Sequence, residues 1–248
     1  MLKKFGICFF VVTLLIASTV SPVRAQSGLM SDDIGPGYAE PNYRDLAQTL
    51  MAFRAHEMAE NNGFVDEYAR ILYCRLVRQS YQNDFEWARV RNSLKDSVND
   101  DKDRYRRFYE FVGTLRLDRY DFESQTFPVN EETRLEQVGA MIFFQTAKLK
   151  LCAAKSNVFK FFPLSYVLQL QSPVTLNEVP IAMDDAEQLI RRFGKDKNKE
   201  RLVYVRFRIR IDGYAGSELE KAILFGDIVN MDIFLDKEMT LYVTHIPR

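Results

Sequence analysis

The spacing of the apolar side chains changes once along this chain, near Phe108, from a helical period to a strand period. Before that point Tyr43, Leu46, Ala47, Leu50 and Phe53 recur at helical intervals. They follow Asn42, a good N-cap, with Asp45 in the first turn. Asn61-Asn62-Gly63 breaks this helix. A second helical pattern runs Val65, Tyr68, Ala69, Leu72 and Leu76, with Ile71, Cys74 and Val77 widening its apolar face. A third opens at Asn83, has Glu86 three residues on in the manner of a capping box, and carries Trp87, Val90, Leu94 and Val98 inward.

After Phe108, Phe111, Gly113, Leu115 and Leu117 alternate with Val112, Thr114, Arg116 and Asp118, which is strand spacing. Glu123-Ser124-Gln125 reads as a turn into Thr126-Phe127-Pro128-Val129, a hairpin. Further strands are expected over 140–152, 164–171, 202–212, 223–235 and 240–246. One short helix interrupts them, capped by Asp184, with Ala186, Leu189, Ile190 and Phe193 packing inward. The expectation is an α+β chain: N-terminal helices packed on a mostly antiparallel β-sheet region with one short inserted helix. Residues 41–107 form the helical region and 108–248 the β-rich region, together one unit, while 195–201 read as a solvated charged loop.

The first residues read as a secretory signal peptide. Lys3 and Lys4 supply the positive start, Phe5 to Ala17 the apolar run, and Val23-Arg24-Ala25 a cleavage site before Gln26. The apolar run is short for a membrane span of about 20 residues. Cleavage after Ala25 leaves a periplasmic or secreted protein that is not an integral membrane protein. Residues 26–40, rich in Ser, Asp, Gly and Pro, read as a flexible lead-in. Lys3, Lys4 and Arg24 leave with the leader, which takes 34 basic side chains to 31 against 34 acidic ones. A chain that is near neutral, 47% hydrophobic and without a basic tail is not disordered, and it is no nucleic-acid binder.

Tyr73-Cys74-Arg75-Leu76 followed by Asn83-Asp84-Phe85-Glu86-Trp87 resembles an uncharacterised family of exported bacterial proteins, a domain of unknown function. Leu117 to Phe122, Ser172-Pro173-Val174-Thr175-Leu176, Val179-Pro180-Ile181 and Ala186-Glu187 resemble its later segments. The resemblance spans nearly the whole mature chain and implies an exported unit with no assigned activity.

The chain carries no Gly-rich phosphate loop, nucleophile elbow, H-E-x-x-H or C-x-x-C. Its two histidines, His56 and His245, have no motif around them, and Gly216-Ser217 lacks a nucleophile's strand–turn–helix context. Asn99, Asp101, Asp103 and Glu110 fit a calcium-loop register, but Arg104 stands where glycine is required and basic residues crowd the segment. No catalytic residue, metal ligand or cofactor is therefore expected.

Two constellations carry more. Arg206, Arg208 and Arg210 share one strand face, opposite Val205, Phe207, Ile209 and Ile211, and are the candidate ligand-binding residues because aligned guanidinium groups suit carboxylate and phosphate. The plainer reading is a wet sheet face on which Asn230, Asp232 and Asp236 of the next strand pair with them. Tyr105, Phe108, Tyr109, Phe111, Tyr120, Phe122 and Phe127 crowd the junction of helices and sheet as core, with a partner-binding patch as the minority reading. With Cys8 removed, Cys74 and Cys152 are left to pair in an oxidising compartment, closing a long loop. A free buried cysteine, packing as a small hydrophobe, is the alternative. The functional expectation is an exported non-enzymatic binding module for an anionic small molecule or a protein partner. The competing one is a hydrolase or transferase whose active site is dispersed along the chain.

Overall fold

Three asparagines set where the longer N-terminal helices begin. Asn42 accepts a hydrogen bond from the Asp45 amide at 3.0 Å and starts α1 (Tyr43–Glu60). Asn61 ends α1 by donating its backbone N–H to Glu57 and starts α2 (Asn62–Leu72) by accepting from Gly63 and Phe64. Asn83 accepts from Phe85 and Glu86 at the head of α4 (Asp84–Asp101). The second helical pattern is split: the chain breaks at Tyr73, and Cys74–Ser80 forms a separate short helix, α3. The computed structural model describes residues 37–146, 149–153, 159–194, 201–218 and 221–246; the leader and most of the charged loop lie outside them.

Past a 3₁₀ turn at Lys102–Arg104 the strands begin: β1 (Phe108–Arg116), β2 (Thr126–Pro128), β3 (Leu135–Gln145), β4 (Ser165–Leu176) and β5 (Glu178–Pro180). Then come α5 (Met183–Phe193), β6 (Leu202–Glu218), β7 (Lys221–Phe234) and β8 (Tyr242–Ile246). The expected α+β architecture is present. The main sheet has the order β1-β6-β7-β4-β3, with β8 also on β7. It is antiparallel except for β4 against β7, which run parallel from Ser165↔Lys221 to Leu170↔Gly226. One edge of β7 thus belongs wholly to β6, and the other is divided between β4 and β8. β2 and β5 form a separate two-stranded sheet. Gly226 allows β6 and β7 to close up, because a Cβ there would run into the Arg210 carbonyl.

Register shifts in β6–β7 and β3–β4 bend the sheet until its two end strands meet on the concave side. There Phe143 of β3 packs edge-on to Tyr109 and Phe111 of β1. Inside the curl lies α1, with Leu46, Ala47, Leu50 and Met51 fully buried. Its Tyr43 touches Phe144 and Tyr166, and its Thr49 bonds the Tyr109 hydroxyl at 2.6 Å. Helical and strand residues share one hydrophobic core.

Several local expectations are corrected. The strand expected to reach Cys152 stops at Gln145, and Cys152 lies in a turn. α5 begins after Ala182 with no side-chain cap, and Asp184 sits in its first turn, where it suits the helix dipole. Of the aromatic cluster, Tyr109, Phe127 and Tyr120 are buried, while Phe122 projects into solvent. Gly37–Glu40, assigned to the flexible lead-in, run beside β1 through an Ala39–Tyr109 bridge.

Cys74 and Cys152 are joined as a disulfide with Cα atoms 5.4 Å apart. It fastens the β3–β4 connection to the helices, and three other contacts do the same. Arg70 donates to the Cys152 carbonyl at 2.7 Å and Arg54 to the Phe161 carbonyl at 2.8 Å. The buried carboxylate of Glu67 accepts from the amides of Lys160, Phe161 and Phe162.

Candidate functional site

Period-two alternation in β6 turns Val203, Val205, Phe207, Ile209 and Ile211 into the core and leaves Arg206, Arg208 and Arg210 on the opposite, convex face. Antiparallel register then decides what meets them. On β1, Val112 stands beside Arg206, Glu110 beside Arg208 and Phe108 beside Arg210. On β7 the neighbours are Asp232, Asn230 and Asp227 in the same order. On β8, His245 lies beside Asp232.

Asp232 is the centre of this network. Its Oδ2 accepts from Arg206 at 2.8 Å and lies 3.9 Å from Arg208, while Oδ1 meets Nδ1 of His245 at 2.9 Å. Its side chain is only 10% exposed, although it sits on the outer face. Burial pushes its carboxyl up, but hydrogen bonds from Arg206 and His245 and the charges of both arginines outweigh burial and hold it below its usual range. The phenol of Tyr242 is pushed up by burial and then by the Asp232 charge. Arg208 also pairs with Glu110 at 3.4 Å, and Arg210, half exposed, forks onto Asp212. The Arg206 guanidinium stacks over Phe234, and Tyr38 lies over that of Arg208.

The expected cross-strand pairing is thus met by Asp232, with Glu110 and Asp212 as partners the sequence reading did not name. Asp236 does not take part. It lies past the end of β7 and closes a turn, accepting from the amides of Thr240 and Leu241. Nor do the four residues of the calcium register share a loop: Asn99 and Asp101 are in α4, Asp103 is in the 3₁₀ turn, and Glu110 faces the arginines. His56 is exposed on α1, and no contact brings it to His245. Glu67 was missed altogether, although a glutamate between Phe64, Val65 and Tyr68 on an inward helix face is a signal of an internal partner.

The model of a family described as Domain of unknown function (DUF4852) matches residues 61–192. The chain belongs to this family. Every segment of resemblance quoted above falls inside the DUF4852 match, which runs from α2 to α5. It does not extend over nearly the whole chain beyond the expected leader: α1 and β6 to β8 lie outside it, and so do Arg206, Arg208, Arg210, Asp232 and His245. No curated protein and no solved structure matches the chain.

Proposed function

We propose that this DUF4852 chain is an exported, non-enzymatic interaction module that docks a protein partner on the convex face of β1, β6, β7 and β8. The observation that carries the reading is charge compensation. Arg206, Arg208 and Arg210 stand among Glu110, Asp212, Asp227 and Asp232, so the face has little net field with which to attract a free small anion. The guanidinium groups nevertheless have donors to spare and stand beside Tyr38, Tyr242 and the exposed Val112. Arginine and tyrosine anchored on a rigid surface are what protein interfaces use as energetic centres. Export is supported by the Cys74–Cys152 disulfide and the Lys3–Ala25 leader, and no helix among the described residues is long and apolar enough to cross a membrane.

The test replaces Arg206, Arg208 and Arg210 by Gln and compares the proteins captured by wild type and variant from cells that make this chain. The expected result is a variant that still folds, with a loss of stability comparable to that of Asp232→Asn, and loss of one captured protein. Full retention of that protein would reduce the stripe to a solvated sheet face. Saturable calorimetric binding of phosphate or succinate would move the reading to a small anionic ligand. For export, intact-mass measurement should give an N-terminus at Gln26, and a membrane-bound product retaining Met1 would overturn it.

A hydrolase or transferase remains the second reading, favoured by the His245–Asp232 contact, since a carboxylate-held imidazole is part of a nucleophile-activating arrangement. Among the described residues no hydroxyl hydrogen-bonds to that imidazole. Turnover of activated ester or amide substrates that His245→Ala abolishes would favour this reading over the module.

A further inference from the structure

A cleft of about 410 Å³ opens where the end of α5 overhangs the start of β6 and the end of β7. Its lining is Phe193, Leu202, Leu235 and Leu241, with Arg192 as the polar member. The volume lies within the ~300–1,000 Å³ range of small-molecule sites.

Leu241 is 44% exposed, yet its backbone is fixed. Its amide donates to the Asp236 carboxylate at 2.6 Å and its carbonyl accepts from Leu235 at 2.9 Å, while Thr240 donates twice more to Asp236. An apolar side chain held in the open by a locked turn gives the cleft a wall that exists before any ligand arrives. At the other side the last turn of α5 carries two arginines, and they differ. Arg191 pairs with Glu187 at 2.6 Å. Arg192 has no ion pair or hydrogen bond among the described residues.

We propose that this cleft binds an apolar carboxylate, a molecule with one anionic head and an aliphatic tail. Arg192 takes the carboxylate, by the planar two-donor geometry that guanidinium offers, and the four apolar residues cover the tail. None of the five lining residues belongs to the arginine network, so neither reading depends on the other.

Calorimetric titration of the exported full chain with octanoate and with octan-1-ol tests this. Octanoate should bind saturably in wild type, at least tenfold tighter than octan-1-ol. Arg192→Gln should weaken octanoate at least tenfold, and Leu241→Asp, at an exposed position where the fold tolerates it, should abolish binding with the melting profile kept. The variant with Arg206, Arg208 and Arg210 changed to Gln should bind octanoate like wild type. Absence of saturable binding, equal affinity for acid and alcohol, or loss of binding in the arginine-stripe variant with Arg192→Gln silent would overturn the proposal.

Discussion

Glu67 and Asp232 are both carboxylates removed from water, and each gathers three donors. Glu67 takes three consecutive backbone amides of Lys160, Phe161 and Phe162. Asp232 takes two guanidinium groups and an imidazole. Backbone donors cannot leave without moving the chain that carries them, so Glu67 fixes a connection in place. Side-chain donors on long stems can turn to a new acceptor at the cost of a rotamer change. The first region holds the fold, and the second is rigid at its floor but free to rearrange at its surface.

The contrast predicts a graded set of losses. Replacing Cys74 and Cys152 together by Ser, on the clamped side, should have the largest effect. Chain entropy for a 78-residue separation sets a ceiling of roughly 4.5 kcal/mol, and urea unfolding measures it. The bond itself is checked by alkylation of denatured, unreduced protein, in which two reactive thiols would show it absent. Glu67→Ala should follow at about 3 kcal/mol, because three buried amides lose their acceptor. A loss under about 1 kcal/mol would mean that water replaces the carboxylate and that the two regions do not differ.

Asp232→Asn should cost about 1–2 kcal/mol near neutral pH, the range for a pair between surface and interior. The pH dependence sharpens this. The folded carboxyl lies below the ordinary value of 3.8, so its contribution is present above that value and is lost as pH falls through the lower folded one. The gap between wild type and Asp232→Asn should therefore close as pH falls below 3.8. A gap that stays constant there would show that the ionised carboxylate contributes nothing. Arg210→Gln, at the half-exposed end of the stripe, should change stability by less than about 0.5 kcal/mol.

What could be read from sequence was what is encoded locally. Asn42, Asn61 and Asn83 act within three residues of themselves, and the arginine stripe needs only the alternation of one strand. The cysteine pairing followed from parity and compartment, without any geometry. Pairings across long stretches of chain were illegible. Lys160 is 93 residues from Glu67, and nothing near either residue announces the other. The parallel match of β4 with β7 is of the same kind, since both strands look like any apolar run. Asp236 misled because two-residue spacing continues past Phe234 in the letters, while the strand itself stops there.

The divided edge of β7 has a consequence for the order in which the molecule can assemble. Helices α1 to α4 are built from neighbouring residues and can form as soon as they exist. β1 cannot pair until β6 is available, with Glu110 and Arg208 separated by 98 positions. β4 and β8 have no common neighbour until β7 is made. The stretch matched by the DUF4852 model, 61–192, contains β1, β3 and β4 but neither of the strands that join them. Cut out at those limits, it would carry unpaired strand edges and aggregate; the smallest length that closes the sheet must run on through β7.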